Sequence, residues 1–209
     1  GSDINGDTLT YDWQEYDLGA ASTAIPNTDA GGALPIFRPY LPTSSPSRTF
    51  PSLTYVLNNA NVPPGSFGAS LLTGELLPQI GRSMTFQVVA RDNRANGGGI
   101  NTATATVNVD GASGPFQITS QGTAGIVYTG GSTQTVTWDV NGTNNAPVSA
   151  ANVKLSYSTD GGLTFPTVLL ATTPNDGTQT VTIPNTATTQ GRIKVEGVDK
   201  IFFDINDTN

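Results

Sequence analysis

The sequence predicts an all-β chain made of two tandem β-sandwiches. Its 209 residues include 24 Gly and 14 Pro, the residue types that frequent turns require. Between these turns, apolar and polar residues alternate at a period of two, and Thr, Val and aromatic residues are common, as in half-buried strands. Because one β-sandwich needs roughly 100 residues, this length predicts two modules rather than one.

The first module, residues 1–110, is predicted to carry one long irregular insertion. Its strands are expected at Thr8–Tyr16, Ser83–Arg91 and Thr102–Val109. Since a strand comes so early, the module is expected to lack its first strand. Residues 18–80 are rich in Pro, Gly and Ser. A connection of that length is uncommon in a compact domain, so it is expected to be functional or to be ordered by its own side chains.

The second module, residues 115–209, follows a predicted linker at Asp110–Pro115, where small residues and a proline interrupt the strand pattern. Its strands are expected at Phe116–Ser120, Thr133–Val140, Asn152–Ser158, Val168–Ala171, Gln179–Ile183, Gly191–Glu196 and Ile201–Ile205. Such a series of short strands is typical of immunoglobulin-like and fibronectin-III-like β-sandwiches, the class expected for both modules. Trp13 and Trp138 are expected in the two cores.

The charge balance excludes several classes of partner. Lys and Arg total 9 against 16 Asp and Glu, which gives a formal net charge of −7 and a pI near 4.3. Such a surface repels phosphate groups, so neither nucleic acid nor an anionic membrane is an expected partner. No apolar run is long enough for membrane insertion. The absence of Cys, with little Lys and much Thr, Asn and Gly, favours a secreted or cell-surface bacterial protein, expected to be a monomer.

The residue types that catalysis most often uses are missing. The chain contains neither His nor Cys, which excludes a Ser-His-Asp triad, a thiol nucleophile and a zinc site built on imidazole or thiolate. Its glutamates are Glu15, Glu75 and Glu196, and none lies in a recognisable acid–base setting. The chain is therefore predicted to be non-enzymatic and to hold no zinc.

Two sets of segments resemble known families. Residues 3–13, DINGDTLTYDW, resemble the D-x-D-G-D-x-L-T-Y-x-W turn and strand of cadherin-like and polycystic-kidney-disease-type domains of bacterial surface and secreted proteins. A wider likeness is to the non-catalytic region downstream of the protease domain in secreted reprolysin-like zinc metallopeptidases of marine bacteria. It is carried by residues 13–17, 37–43, 48–51, 89–93, 136–140, 158–162, 174–177 and 201–205. The resemblance implies an accessory region whose partner is an upstream catalytic domain of the same polypeptide.

A calcium site is predicted in the first module. Asp3, Asn5 and Asp7 place three oxygen-bearing side chains in one Gly-containing turn, and Ca²⁺ prefers six to eight oxygen ligands in flexible geometry. The resemblance to cadherin-like domains implies that Asp92 and Asn93, after a later strand, lie close to this turn and supply further oxygens. The alternative is a turn without metal, in which the same side chains accept hydrogen bonds from backbone N–H groups.

A second candidate site is the segment Ile36–Pro51, where aromatic and guanidinium groups are interleaved. The candidate binding residues are Phe37, Arg38, Tyr40, Arg48 and Phe50. Such mixtures are enriched at recognition surfaces, so protein or polysaccharide surfaces are the expected partners. The alternative is that this segment covers a sheet edge of its own module.

Three functions remain open from the sequence. The first is an accessory region that spaces, stabilises or targets a secreted zinc metallopeptidase. The second is a calcium-stabilised segment of a cell-surface adhesin. The third is a carbohydrate-binding module, for which Tyr40, Phe50 and Tyr55 form the expected set of exposed aromatic side chains.

Overall fold

A computed structural model describes the chain in four stretches, residues 1–19, 29–32, 34–60 and 75–209. The remaining parts of the predicted insertion, residues 20–28, 33 and 61–74, lie outside the described residues. The chain divides into two compact units, Gly1–Gly111 (unit 1) and Ala112–Asn209 (unit 2), and each is described by itself.

Unit 1 contains one antiparallel sheet of three strands in the order β1-β2-β3. Its strands are β1 (Thr10–Glu15), β2 (Arg82–Arg91) and β3 (Ile100–Val109). A short 3-10 turn at Ala30–Gly32 and a five-residue helix, α1 (Leu53–Leu57), lie in the insertion. The sequence did not predict α1, because five residues do not show a helical period.

One face of this sheet carries the core of unit 1. The antiparallel register places Trp13 opposite Val88 and Phe86 opposite Ala105, so alternate residues share the face. The insertion covers it with Ile36, Phe37, Phe50 and Leu76, which pack against Met84, Phe86, Val107 and Val109. Trp13 is only partly buried at the margin of this cluster. Among the described residues, the second layer of unit 1 is therefore made of irregular segments.

One glutamate of the sheet holds the insertion of unit 1 in place. On β1, Glu15 accepts the backbone N–H groups of Ile36 at 2.6 Å and Phe37 at 2.9 Å, and its other carboxylate oxygen lies 3.3 Å from Arg82. Burial raises the pKa of Glu15 above its usual range. Arg82 also donates to Asp29 at 2.8 Å, so this one cation is shared between two buried carboxylates.

Glu75 lies in the insertion itself and connects parts of it to one another. Its side chain is fully buried and forms an ion pair with Arg48. One carboxylate oxygen also accepts the backbone N–H of Arg38 at 2.9 Å, and the other accepts the backbone N–H of Ser52. These bonds satisfy backbone groups that no strand ladder reaches, which is how an irregular segment can be buried.

Unit 2 is a β-sandwich of two antiparallel sheets. Its strands are β4 (Gln117–Ile118), β5 (Thr133–Asp139), β6 (Asn152–Ser158), β7 (Thr167–Pro174), β8 (Thr178–Thr182), β9 (Arg192–Gly197) and β10 (Phe203–Ile205). One sheet has the order β4-β5-β8 and the other β10-β9-β6-β7. The fourth strand of the sandwich therefore pairs with the third. In constant-type immunoglobulin domains it lies in the opposite sheet, so the strand order of unit 2 differs from theirs.

The inner faces of these two sheets form one continuous core. Its buried members are Ile118, Val136, Trp138, Val153, Leu155, Tyr157, Val181, Ile183, Ile193 and Val195. They alternate along the strands with polar residues, as the sequence pattern predicts. Trp138 is buried as expected, and the predicted all-β class is confirmed.

Candidate functional site

The structure brings three of the predicted metal ligands together at one end of the sheet of unit 1. Carboxylate oxygens of Asp3, Asp7 and Asp92 all lie within 4.8 Å of one another. The turn that carries the first two is built by Asp3, whose Oδ1 accepts the backbone N–H groups of Asn5 at 2.8 Å and Asp7 at 3.1 Å. Gly6 supports this turn with a φ of 79°, in the left-handed region that glycine favours.

Asp92 is held in this cluster by the turn that follows β2. Its two carboxylate oxygens accept the backbone N–H groups of Gly99 at 2.8 Å and Arg94 at 3.1 Å. These hydrogen bonds hold the pKa of Asp92 below its usual range, so the group carries its negative charge at neutral pH. The Arg94 guanidinium lies 3.8 Å from the Asp7 carboxylate, and the two form a partly exposed ion pair.

The other two predicted ligands have different positions. Asn5 is exposed, and its backbone N–H donates to Asp3. Asn93 has a φ of 55°, and its side-chain amide donates to Thr10 Oγ1 at 3.0 Å. Asn93 therefore connects the turn after β2 to β1, beside the carboxylate cluster.

The predicted binding segment is divided between the core and the surface. Phe37 and Phe50 belong to the core of unit 1, where their ring centroids lie 5.1 Å apart. Arg48 donates to the backbone carbonyl of Trp13 and pairs with Glu75. The backbone N–H of Arg38 donates to that same glutamate, and the Arg38 side chain is half-buried. Among the five candidates, Tyr40 has the most exposed side chain, at 42%.

A groove of about 410 Å³ opens beside Tyr40, between β1 and the segment 40–53. Its lining includes Tyr11, Trp13 and Tyr40, together with hydroxyl side chains of the segment. The aromatic set expected for a carbohydrate-binding module was partly wrong, because Tyr55 is only 4% exposed and Phe50 packs against Phe86 at a centroid distance of 4.6 Å.

The contribution of β1 to this groove was missed at the sequence level. Tyr11 and Trp13 share one face of the strand, and this pattern indicates core residues. The sequence around them does not show that the covering segment leaves part of that face open.

A larger groove, of about 550 Å³, lies in unit 2, and the Asn206 amide in its lining is engaged in the fold. Asn206 lines it and accepts the backbone N–H of Ile193 at 2.7 Å. The Asn206 amide donates to the carbonyls of Gln121 at 2.8 Å and Thr208 at 2.6 Å. With its amide used in this way, Asn206 is a structural residue. The smaller groove of unit 1 is the candidate that contains predicted binding residues, Tyr40 and Arg48.

The described residues show no clear catalytic site. All three glutamates form ion pairs: Glu15 with Arg82, Glu75 with Arg48, and Glu196 with two lysines. Comparisons with protein-family models, curated proteins and solved structures returned no match for this chain. No helix in the described part of the chain is long and apolar enough to cross a membrane.

Proposed function

We propose that this chain is a non-catalytic accessory region of a secreted bacterial zinc metallopeptidase. In this role it spaces, stabilises or targets a catalytic domain located upstream in the same polypeptide. The observation that supports a non-catalytic role is that every glutamate is used in an ion pair, in a chain without His or Cys. The nature of the parent enzyme rests on the resemblance of the segments described above.

The full open reading frame tests this proposal. We expect an H-E-x-x-H-x-x-G-x-x-H motif upstream of this region, because that motif holds the zinc ion and supplies the general base. The purified chain itself is expected to hydrolyse no protein substrate. A reading frame without a zinc-protease motif would contradict the proposal and favour the adhesin segment.

Calcium is the proposed stabilising ion of unit 1. The three clustered carboxylates repel one another, so a divalent cation among them would relieve the repulsion and tie the start of β1 to the turn after β2. Hard carboxylate oxygens are suitable ligands for Ca²⁺. Asp7 Oδ2 is shielded from solvent and has no hydrogen-bond partner among the described residues, while Arg94 lies 3.8 Å away and would compete with the ion.

A thermal melt with millimolar calcium, and again with chelator, tests this site. Calcium that binds only the folded state stabilises it by about 2.7 kcal/mol at one hundred times the dissociation constant. We expect the gain to disappear in Asp7→Asn and to persist in Asp139→Asn, which changes an exposed aspartate of unit 2. A wild-type melting temperature that does not respond to calcium favours the metal-free turn.

A further inference from the structure

The groove of unit 1 contains an aromatic ring that is fixed in place by a buried ion pair. The guanidinium carbon of Arg48 lies 4.5 Å from the centroid of the Tyr40 ring and 4.2 Å from that of Phe50. Arg48 is itself held by Glu75 and by the backbone carbonyl of Trp13. Tyr40 therefore has little freedom to lose on binding a ligand, although 42% of it is exposed.

The polar lining of this groove consists mainly of uncharged hydroxyl groups. They belong to Thr43, Ser45, Ser47, Thr49 and Ser52. Thr43 and Ser45 donate to backbone carbonyls of the segment at 3.4 and 3.1 Å, which fixes their positions, and a hydroxyl oxygen that donates can still accept a hydrogen bond from a ligand. The charge of Arg48 is neutralised by Glu75, and the other charged residue of the lining, Asp12, accepts a hydrogen bond from the Gln14 amide at 3.2 Å. An acidic group in the lining disfavours an anionic ligand. Such a lining suits a ligand with many hydroxyl groups and no net charge.

Two contacts argue against a peptide in the same groove. Aromatic grooves that recognise proline-rich peptides place aromatic side chains against the peptide. Here the Trp13 indole N–H already donates to the backbone carbonyl of Pro46 at 2.9 Å. Addition of a peptide strand to β1 is blocked at Tyr11, whose backbone N–H and carbonyl both pair with Thr43, at 2.7 and 2.9 Å.

We propose that this groove binds a neutral oligosaccharide, with one sugar ring stacked on Tyr40 and its hydroxyl groups hydrogen-bonded to the Ser and Thr side chains. An apolar ring face above a polar rim is the combination that a pyranose presents, and a pocket of this size accommodates a small number of sugar units. The inference deepens the targeting role and rests on the proposed function for its biological setting.

Calorimetric titration of the whole chain with neutral hexasaccharides tests the proposal. The probes are cellohexaose, xylohexaose, mannohexaose and chitohexaose. We expect at least one to bind, and Tyr40→Ala to weaken that binding by about tenfold or more. Tyr40→Phe keeps the ring and is expected to bind nearly as wild type. The matched control is Tyr16→Ala, which removes a tyrosine that is 55% exposed and does not line the groove.

Three outcomes would overturn the inference. The first is that none of the four sugars binds, the second is equal binding by Tyr40→Ala and wild type, and the third is tight binding of a deca-proline peptide without binding of any sugar. Thermal melts of each variant show that loss of binding is not loss of folding. None of these results bears on the presence of a zinc motif upstream, so the failure of this inference and the failure of the proposed function are distinguishable.

Discussion

Asn175 is the residue that satisfies the buried polar groups around Trp138. Its Oδ1 accepts the indole N–H at 2.9 Å, and its amide donates to Thr143 Oγ1 at 3.1 Å and to the carbonyl of Ala150 at 3.0 Å. The Asn175 side chain is buried, so its removal would leave these partners without a hydrogen bond and out of reach of water.

We expect Asn175→Ala to lower the free energy of unfolding of unit 2 by about 3 kcal/mol, because it leaves an indole N–H and a carbonyl unpaired in the core. Asn145→Ala, at an exposed position, is the control and should change the stability little. Urea denaturation in a Trp13→Phe background, followed by Trp138 fluorescence, measures both. Equal stability of the two variants would show that the network around Trp138 is unimportant.

Asp204 makes the stability of unit 2 depend on pH. Burial raises its pKa to about 6, although it accepts the backbone N–H of Ile118 at 2.7 Å. A carboxyl whose pKa is higher in the folded state binds its proton more tightly there, so its charge costs stability above pH 6. That cost disappears as the pH falls towards the usual aspartate range.

The comparison of wild type with Asp204→Asn isolates this group. Between pH 7.5 and pH 4.5 we expect the wild-type free energy of unfolding of unit 2 to rise, relative to the variant, by on the order of 2 kcal/mol. Other carboxyl groups titrate in both proteins and cancel in the difference. Parallel pH profiles would rule out Asp204 as the source.

Among the elements of unit 1, the β-strands are held by backbone hydrogen-bond ladders, whereas the insertion is held by ion pairs and by carboxylates that bind its backbone. We expect Glu75→Ala to cost unit 1 about 4 kcal/mol, because Arg48 would remain as an uncompensated, largely buried charge. The matched control is Glu196→Ala, which removes a partly exposed glutamate paired with Lys154 and Lys194 and should cost about 1 kcal/mol or less. Chemical denaturation of both variants measures the difference, and similar losses would contradict the structural role of Glu75.

The elements of unit 2 could be predicted from the sequence more fully than those of unit 1. The predicted strand Asn152–Ser158 matches β6, because the alternation of apolar and polar residues is a local signal. The edge strands differ from their predicted bounds by a few residues. In unit 1 the same signal located the three strands. It could not show the path of the insertion, which is fixed by contacts over long separations, such as that between Arg38 and Glu75. The open face of Trp13 depends on that path.

At the scale of the whole molecule, each unit has its own core and its own tryptophan. We expect two unfolding transitions, reported separately by Trp13 in a Trp138→Phe chain and by Trp138 in a Trp13→Phe chain. Glu75→Ala should shift the first transition and leave the second unchanged, since its contacts lie within unit 1. A shift of both transitions by the same amount would show that the chain unfolds as one cooperative body.

Glu15 and Glu75 hold the insertion in a way that leaves its exposed side chains free to change during evolution. Apart from the arginine pairs, these carboxylates bind backbone N–H groups, at Ile36, Phe37, Arg38 and Ser52. A backbone amide is present whatever the side chain, except in proline. Natural variants are therefore free to change the exposed side chains of the insertion, and with them the surface it presents, as long as the two glutamates are kept.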